Sequence, residues 1–380
     1  MTIDADGELA RAVGDPVRVT TADGPAWILR RYDDVVAGFT STDLSTCPHL
    51  ATGEDYRGYD LPPAFRDNII SSPPADHRRV RRLIAPLMDR SAAQAIRPAL
   101  QRTAREVFEQ ASTHGTFDLI RDFAGPYVAA STAAWLGLER QLRNTYLAWA
   151  AQLVGPQWAT LRGRDTLPTM AALVEEATTT PSKPGTVIDR LLAMRDSGQM
   201  RPAETTAMVF YLLFVWYEIS VNAVAGAVIV ASESDDHGSW SRRWRRHADE
   251  ALGRYTPQSI AFRRFASNEQ RVGSAVIEAG QTVLLSLAAA NKDLRDAASP
   301  RGLHVSFGYG PHRCPGQSIA LAVIREALTV AQVIAELDLS NVAWTPGLRA
   351  HGPRQIQARI AEADQDQVGR HRSDRSATAG

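Results

Sequence analysis

The chain has 380 residues, of which 44% are hydrophobic and 22% charged, as is typical of a soluble globular protein whose core can enclose a cofactor. Its 42 basic and 42 acidic residues give a formal net charge of +0, which argues against nucleic acid or an acidic membrane as a partner. With only Cys47 and Cys314, and no apolar signal segment at the acidic N-terminus, we expect no disulfide framework and a cytoplasmic location.

The first half of the chain is predicted to be helical after one early strand. The predicted elements are a strand at 25–30, helices at 32–39, 75–87, 92–112 and 122–136, and two helices within 140–174 broken at Gly155-Pro156. Residues 43–72 are polar and interrupted by proline and glycine, which predicts a long functional loop. A linker is expected at 178–185.

The most apolar segment, 208–231, reads MVFYLLFVWYEISVNAVAGAVIVA and is long enough to span a bilayer. Glu218 interrupts it near the middle, and a carboxylate at that depth is costly in lipid. No basic flank or aromatic belt brackets the segment. We therefore predict a helix buried through the centre of the protein, not a membrane span.

The second half is predicted to be helical around a small β region. The predicted elements are an arginine-rich helix at 241–254, strands at 261–265, 273–277 and 282–285, and a helix at 318–336. Residues from 363 onward are polar, which predicts a disordered tail. We expect one domain over 1–362 and a tail at 363–380.

A glycine-rich loop, FGYGPHRCPG at 307–316, surrounds Cys314. A cysteine thiolate is a strong axial ligand for haem iron, and glycines allow the backbone to approach the sulfur closely. Phe307 can shield the sulfur side of a porphyrin, and His312 can reach a propionate. An isolated cysteine is more often a buried structural residue, but all six specified positions of the pattern F-G-x-G-x-H-x-C-x-G are filled here.

This loop resembles the haem-binding segment of the cytochrome P450 family, and the likeness extends from the strand at Trp27 to the C-terminal strand region. The resemblance implies a mainly α fold with a small β region, that is, a cytochrome P450-like haem-thiolate fold. It also implies a haem b cofactor (iron protoporphyrin IX) with Cys314 as the proximal iron ligand.

Three further motifs match the family in the expected order. His77 and Arg81 resemble its HxxxR pair, and Arg264 resembles the arginine of its R-x-A strand, so all three would contact haem propionates. Without the cysteine loop, a solvated basic helix face would be the simpler interpretation of His77 and Arg81. Residues 288–293, AAANKD, resemble the family's AxANRD stretch.

The central helix departs from the family at its oxygen-activation site. When Glu218 is aligned with the family's acidic residue, Trp216 stands where a small residue is expected and Ile219 replaces the oxygen-activating threonine. Isoleucine cannot relay a proton. Glu218 remains a candidate proton source, while the Ser220 hydroxyl, two residues after Glu218, is expected to face elsewhere.

Two supporting motifs also depart from the family. Its E-x-x-R pair becomes Glu250 and Arg254, four residues apart, which still favours a helical ion pair. The segment between Asp293 and His304 is short and lacks the family's D-P-x-R-F, leaving Arg295 or Arg301 as the third member of that network.

These features predict a haem-thiolate oxidoreductase that tailors a small specialised-metabolite substrate with an atypical oxygen-activation site. The substrate or an ordered water would then supply the proton relay of a monooxygenation. Two alternatives stay open. The first is chemistry without dioxygen cleavage, such as peroxide-driven oxidation, dehydration or rearrangement. The second is a non-catalytic haem-binding scaffold.

The resemblance also implies an electron donor of the ferredoxin type on the proximal face if dioxygen is used. Arg78, Arg79, Arg82 and the arginine run at 242–246 are candidates for its docking patch, with ordinary solvated helix faces as the alternative. We expect the substrate pocket to be lined by 43–72, 154–158, the central helix and 257–262.

Overall fold

The structure, a computed structural model, describes residues 2–3, 8–21, 23–51, 63–154, 163–234, 240–297, 303–344 and 351–360. The predicted tail at 363–380 and the predicted break at Gly155-Pro156 lie outside these residues.

The N-terminal half begins with three strands and a short helix and continues mainly with helices, among which lie two short strands. Its elements are β1 (Thr2–Ile3), α1 (Glu8–Arg11), β2 (Val17–Thr21), β3 (Gly24–Leu29), α2 (Tyr32–Thr40), β4 (Leu44–Ser45), α3 (Pro74–Ile84), α4 (Arg90–Ala111), β5 (Thr116–Asp118), α5 (Gly125–Leu136), α6 (Arg140–Val154), α7 (Leu167–Thr179) and α8 (Val187–Asp196). Single 3-10 turns at Pro48–Leu50 and Pro63–Phe65 flank the undescribed part of the predicted loop.

The C-terminal half contains the central helix and most of the β region. Its elements are α9 (Pro202–Phe210), α10 (Trp216–Ser232), α11 (Trp240–Tyr255), β6 (Arg264–Ala266), β7 (Gln270–Val272), β8 (Ala275–Ile277), β9 (Thr282–Leu285), α12 (Leu287–Asp296), α13 (Gln317–Ala331), β10 (Ile334–Trp344) and β11 (Pro353–Ile360). A π-helical turn at Tyr211–Val215 joins α9 to α10 in one continuous helix, Pro202–Ser232.

The strands form three small sheets beside the helices. The largest has the order β1-β2-β3-β9-β6-β4, the second β10-β11-β5, and the third is the hairpin β7-β8. In the largest sheet β9 pairs in parallel with β3 and antiparallel with β6, with Val283 opposite both Trp27 and Arg264. The sheet therefore brings the N-terminal strands and the Arg264 strand to one place. The predicted mainly α fold with a small β region is confirmed.

The central helix is buried as predicted. Every residue from Ser220 to Ala231 is buried, which accounts for the absence of a polar face in this half of the helix. The helix is long and apolar enough to cross a membrane, but 67% of its most apolar window is buried inside the fold. Such burial is typical of the core helix of a soluble protein.

Two predicted boundaries were wrong, and one strand was missed. The strand predicted at 261–265 begins only at Arg264, and β7 had not been predicted. The helix predicted to end at residue 336 ends at Ala331, and β10 begins three residues later. The run VAQVIAELDL has apolar residues at both helical and strand spacing, so pairing with β11 decides its conformation.

Candidate functional site

The cysteine loop is held in a tight conformation against α2. Gly308 and Gly310 have φ of 70° and 65°, the left-handed region that favours glycine. A β-carbon on Gly310 would lie 3.3 Å from the carbonyl oxygen of Phe39, so the loop packs closely on this helix. The Cys314 amide donates to the Phe307 carbonyl at 2.7 Å, which closes the loop around the sulfur.

The surroundings of the Cys314 sulfur have opposing effects on the pKa of its thiol. Burial raises the pKa of its thiol, while the Gly316 amide and the nearby charges of Arg81 and Arg313 oppose that rise. The amide and the cations would stabilise a thiolate once a metal ion is bound to it.

Four basic side chains from three parts of the chain meet beside this loop: His77 and Arg81 from α3, Arg264 from β6, and His312. The rings of His77 and His312 are 4.0 Å apart between centroids. Burial, followed by the charges of His77, Arg264 and Arg81, lowers the pKa of His312 to about 3. Burial and neighbouring arginines likewise lower the pKa of His77. This cluster of four side chains therefore favours a bound anion and disfavours any further positive charge.

Arg264 shows most clearly that an anion fits here. Its side chain is buried, at 2% exposure, and stacks over the ring of Phe39 at 4.8 Å. Nη1 donates to the Phe262 carbonyl at 3.2 Å, but buried Nη2 has no hydrogen-bond partner among the described residues, and burial lowers the arginine pKa to about 10. A buried cation without a counter-charge is costly. The residues present therefore fit a group that carries carboxylates and binds the sulfur.

One face of the central helix is less buried than the rest. Tyr211, Val215, Glu218 and Ile219 are partly exposed at helical spacing, although the helix crosses the middle of the fold. Ser220 is buried and lies off this face, as expected. On this face Ile219, and not a hydroxyl residue, therefore stands next to Glu218.

Trp216 extends from the central helix to the cysteine loop. Its Cζ3 lies 3.0 Å from the position that a β-carbon on Gly316 would occupy, and Cys314 Sγ lies 3.8 Å from the same position. On its other side the indole contacts Trp135, with ring centroids 5.1 Å apart. The structure thus brings Trp216 beside the cysteine, whereas the sequence placed it only in the groove above the iron.

Arg354 is a site residue that sequence reasoning missed. Its Nη2 lies 3.1 Å from Glu218 Oε1, and its Nη1 donates to the Leu153 carbonyl at 3.4 Å. A β-carbon on Gly352 would overlap the side chain of Asn222, so β11 starts directly against the central helix. No sequence signal links Glu218 and Arg354, because 136 positions separate them and neither lies in a shared motif.

Parts of the predicted substrate pocket also meet the central helix. Phe262 contacts Tyr211 with centroids 5.9 Å apart, and Phe65 stacks on Phe210 at 4.1 Å. These contacts bring the segments 257–262 and 63–72 to the continuous helix Pro202–Ser232 that carries Glu218. Residues 52–62 and 155–158 of the prediction lie outside the described part of the chain.

Comparison with known proteins identifies this arrangement. No protein-family model matches the chain. It is 26% identical to 6-deoxyerythronolide B hydroxylase of Saccharopolyspora erythraea, over 91% of this chain and 92% of the relative. It is 24% identical to epothilone C/D epoxidase of Sorangium cellulosum, over 87% and 85% respectively. The tirandamycin C-bound P450 monooxygenase TamI superimposes with a TM-score of 0.76 at 23% identity, over 92% of this chain and 94% of that one. The chain has the cytochrome P450 fold. Bacterial cytochromes P450 are its relatives along nearly its whole length.

The chain anchors its cysteine loop with contacts other than the expected ion pair. Arg254 pairs with Glu233, not with Glu250, so the i, i+4 pair suggested by the sequence does not form. Arg295 donates to the Gly253 carbonyl and pairs with no carboxylate there. Arg301 lies outside the described residues.

Asn291 takes over part of this anchoring. Its Nδ2 donates to Ser306 Oγ at 2.8 Å and to Thr256 Oγ1 at 2.9 Å, and its Oδ1 accepts from the Val305 amide at 2.7 Å. The amide therefore links α12 and the residue after α11 to the segment entering the cysteine loop. Phe307 follows directly and packs partly buried against the helical core.

Proposed function

We propose that the chain binds haem b through Cys314 and oxidises a small organic substrate of specialised metabolism in the bacterial cytoplasm. The observation that carries the proposal is the buried, uncompensated guanidinium of Arg264 among His77, Arg81 and His312, next to the cysteine loop. The names of the relatives support it: one is a hydroxylase, one an epoxidase and one a monooxygenase.

Each basic residue has a role in holding the group. Arg264, His77, Arg81 and His312 would bind its carboxylates, which would supply the counter-charge that Arg264 lacks. Cys314 would be the metal ligand, supported by the Gly316 amide, and Phe307 would shield the sulfur. The haem supplies the oxidising chemistry when it is bound.

On the substrate side, Glu218 would accept and donate protons. Its side chain is 43% exposed, so Oε1 and Oε2 can exchange protons with solvent, and Arg354 fixes the direction of the carboxylate. Ile219 supplies no hydroxyl next to it. We therefore propose that a substrate hydroxyl or an ordered water completes the relay in a monooxygenation.

A second function is favoured by the same observation on Ile219 and by the position of Trp216. Chemistry that needs no cleavage of dioxygen, such as peroxide-driven oxidation, dehydration or rearrangement, does not require the missing hydroxyl. The two functions differ in their needs, because only the monooxygenation depends on both dioxygen and an external electron donor.

A donor of the ferredoxin type would dock beside the cysteine loop. Arg78 and Arg82 of α3 and Arg313 of the loop are exposed, as is Tyr309 at 46%, and α3 meets the loop at the His77–His312 contact. Arg79 contributes less than the sequence suggested, because it pairs with Glu204 and Asp76. In the arginine run, Arg245 pairs with Asp249.

The absorption spectrum of the reduced protein with carbon monoxide tests haem-thiolate binding. We expect a red-shifted Soret band that disappears in Cys314→Ala and persists in Cys47→Ser, the matched control at the other cysteine. A wild-type protein that never acquires this band contradicts the proposal. Haem binding without turnover, under dioxygen with a donor or under peroxide, would instead favour a scaffold.

A further inference from the structure

The Trp216 indole lies close to the Cys314 sulfur. Trp216 Cζ3 and Cys314 Sγ both lie within 4 Å of one point, the β-carbon position of Gly316. A flat macrocycle that binds the sulfur through its central metal extends on every side of that bond. The indole therefore lies close to the volume that a macrocycle bound to this sulfur would occupy.

The indole is also held in this position by its neighbours. It contacts Trp135 at 5.1 Å, and Trp135 is itself 6% exposed within α5. Aromatic pairs of this kind stabilise the arrangement beyond simple burial. Turning the indole away from Gly316 thus costs free energy that a glycine or alanine at this position would not require.

One side of the indole is open. Trp216 is partly exposed, as are its helix neighbours Val215 and Ile219. Leu212 and Tyr217, on the other faces of the helix, are buried. The exposed side is therefore the one toward which a change of side-chain rotamer would turn the indole.

We propose that Trp216 is a gate residue for the prosthetic group: it lies in part of the volume that the macrocycle needs, and it must turn away before Cys314 can bind the metal. This inference rests on the proposed haem-thiolate function. It predicts that Trp216 weakens and slows haem binding, and that the displaced indole then lines the substrate space beside Glu218.

Haemin titration of the full chain, purified from haem-limited cells, tests the gate. The Soret band reports binding, and stopped-flow quenching of tryptophan fluorescence reports its rate. We expect Trp216→Gly to bind haemin roughly tenfold more tightly and faster than wild type, from the size of an aromatic contact. Trp216→Phe should fall between the two, and Trp27→Phe, the matched control in β3, should behave as wild type.

The outcomes separate the gate from the proposed function. Binding by Trp216→Gly that is equal to or weaker than wild type, with unchanged circular dichroism, overturns the gate but leaves the haem-thiolate function intact. Should Trp216→Gly misfold, the same ranking is read from Trp216→Phe. Absence of a thiolate-type Soret band in wild type and in every variant overturns both.

Discussion

Arg354 on β11 directs its guanidinium at Glu218 in the middle of the central helix, with Nη2 and Oε1 3.1 Å apart. The arginine side chain is 13% exposed and the glutamate side chain 43%, so the arginine is mostly buried and the glutamate is more accessible. The carbonyl of Leu153 accepts a second hydrogen bond from Arg354. The C-terminal strand thus fixes the one acidic side chain that the central helix presents beside Ile219.

If Glu218 supplies protons, its removal slows turnover without preventing haem binding. We expect Glu218→Gln to lower the rate of product formation about 100-fold, the lower end of the range for general acid catalysis. Arg354→Ala should lower it by about tenfold, because the carboxylate remains but loses its direction, and Arg354→Lys should recover part of the loss. Product formation by saturated enzyme measures the effect, with the carbon monoxide spectrum as a control for intact haem. Unchanged turnover in Glu218→Gln would remove Glu218 from the mechanism.

Substitution of Arg264 should have opposite effects on the stability of the haem-free chain and on haem binding. Without a counter-charge, its buried guanidinium destabilises the fold, so we expect Arg264→Met to raise the free energy of unfolding of the haem-free chain by about 1–4 kcal/mol. The same change removes a carboxylate contact and should weaken haem binding. Urea unfolding and haemin titration measure the two effects.

The neighbouring Arg263 provides the control for this prediction. It forms an ion pair with Asp23, so Arg263→Met should lower stability and leave haem affinity unchanged. Loss of stability in haem-free Arg264→Met would mean that the guanidinium is already compensated.

Glu204 makes the stability of the fold depend on pH. It is 2% exposed, and although burial raises its pKa, hydrogen bonds from Arg201 and Arg79 outweigh burial and lower it. A lowered carboxylate pKa contributes stability above the usual value near 4.5, and this stability is lost as the pH falls through the lower, folded-state pKa. Glu204→Gln should therefore cost about 1–3 kcal/mol at pH 7 and progressively less below pH 4.5.

Thermal unfolding of wild type and Glu204→Gln between pH 7 and pH 3 measures this dependence. Asp189→Asn serves as a comparison, since Asp189 also lies in the first turn of a helix but receives its bond from the Gly185 amide in an exposed position. Parallel pH curves for wild type and Glu204→Gln would show that the Arg79 pair contributes no charge-dependent stability.

Much of this site could be read from the sequence because its parts are local. The cysteine loop, the pair His77 and Arg81, and the strand carrying Arg264 are short motifs whose residue types reveal their chemistry. The burial of the central helix also follows from its composition. Arg354 could not be found, because its role depends on β11 starting against Asn222, a tertiary contact. The partner of Arg254 was likewise wrong, since Glu233 lies at the end of the preceding helix and competes with Glu250 only in three dimensions.

Ile219 allows the two proposed reaction classes to be separated. Ile219 follows Glu218 on the partly exposed face of the central helix, so Ile219→Thr places a hydroxyl next to Glu218. If the enzyme uses dioxygen with a substrate or water relay, the added hydroxyl should raise the product formed per reducing equivalent about twofold to tenfold and lower peroxide release. Ile219→Val has the shape of threonine without the hydroxyl and separates proton relay from cavity size. If the chemistry needs no dioxygen cleavage, the two variants should behave alike, and the product yield should not depend on the electron donor. Equal coupling in Ile219→Thr and Ile219→Val, with product formed under peroxide alone, would therefore favour the second class.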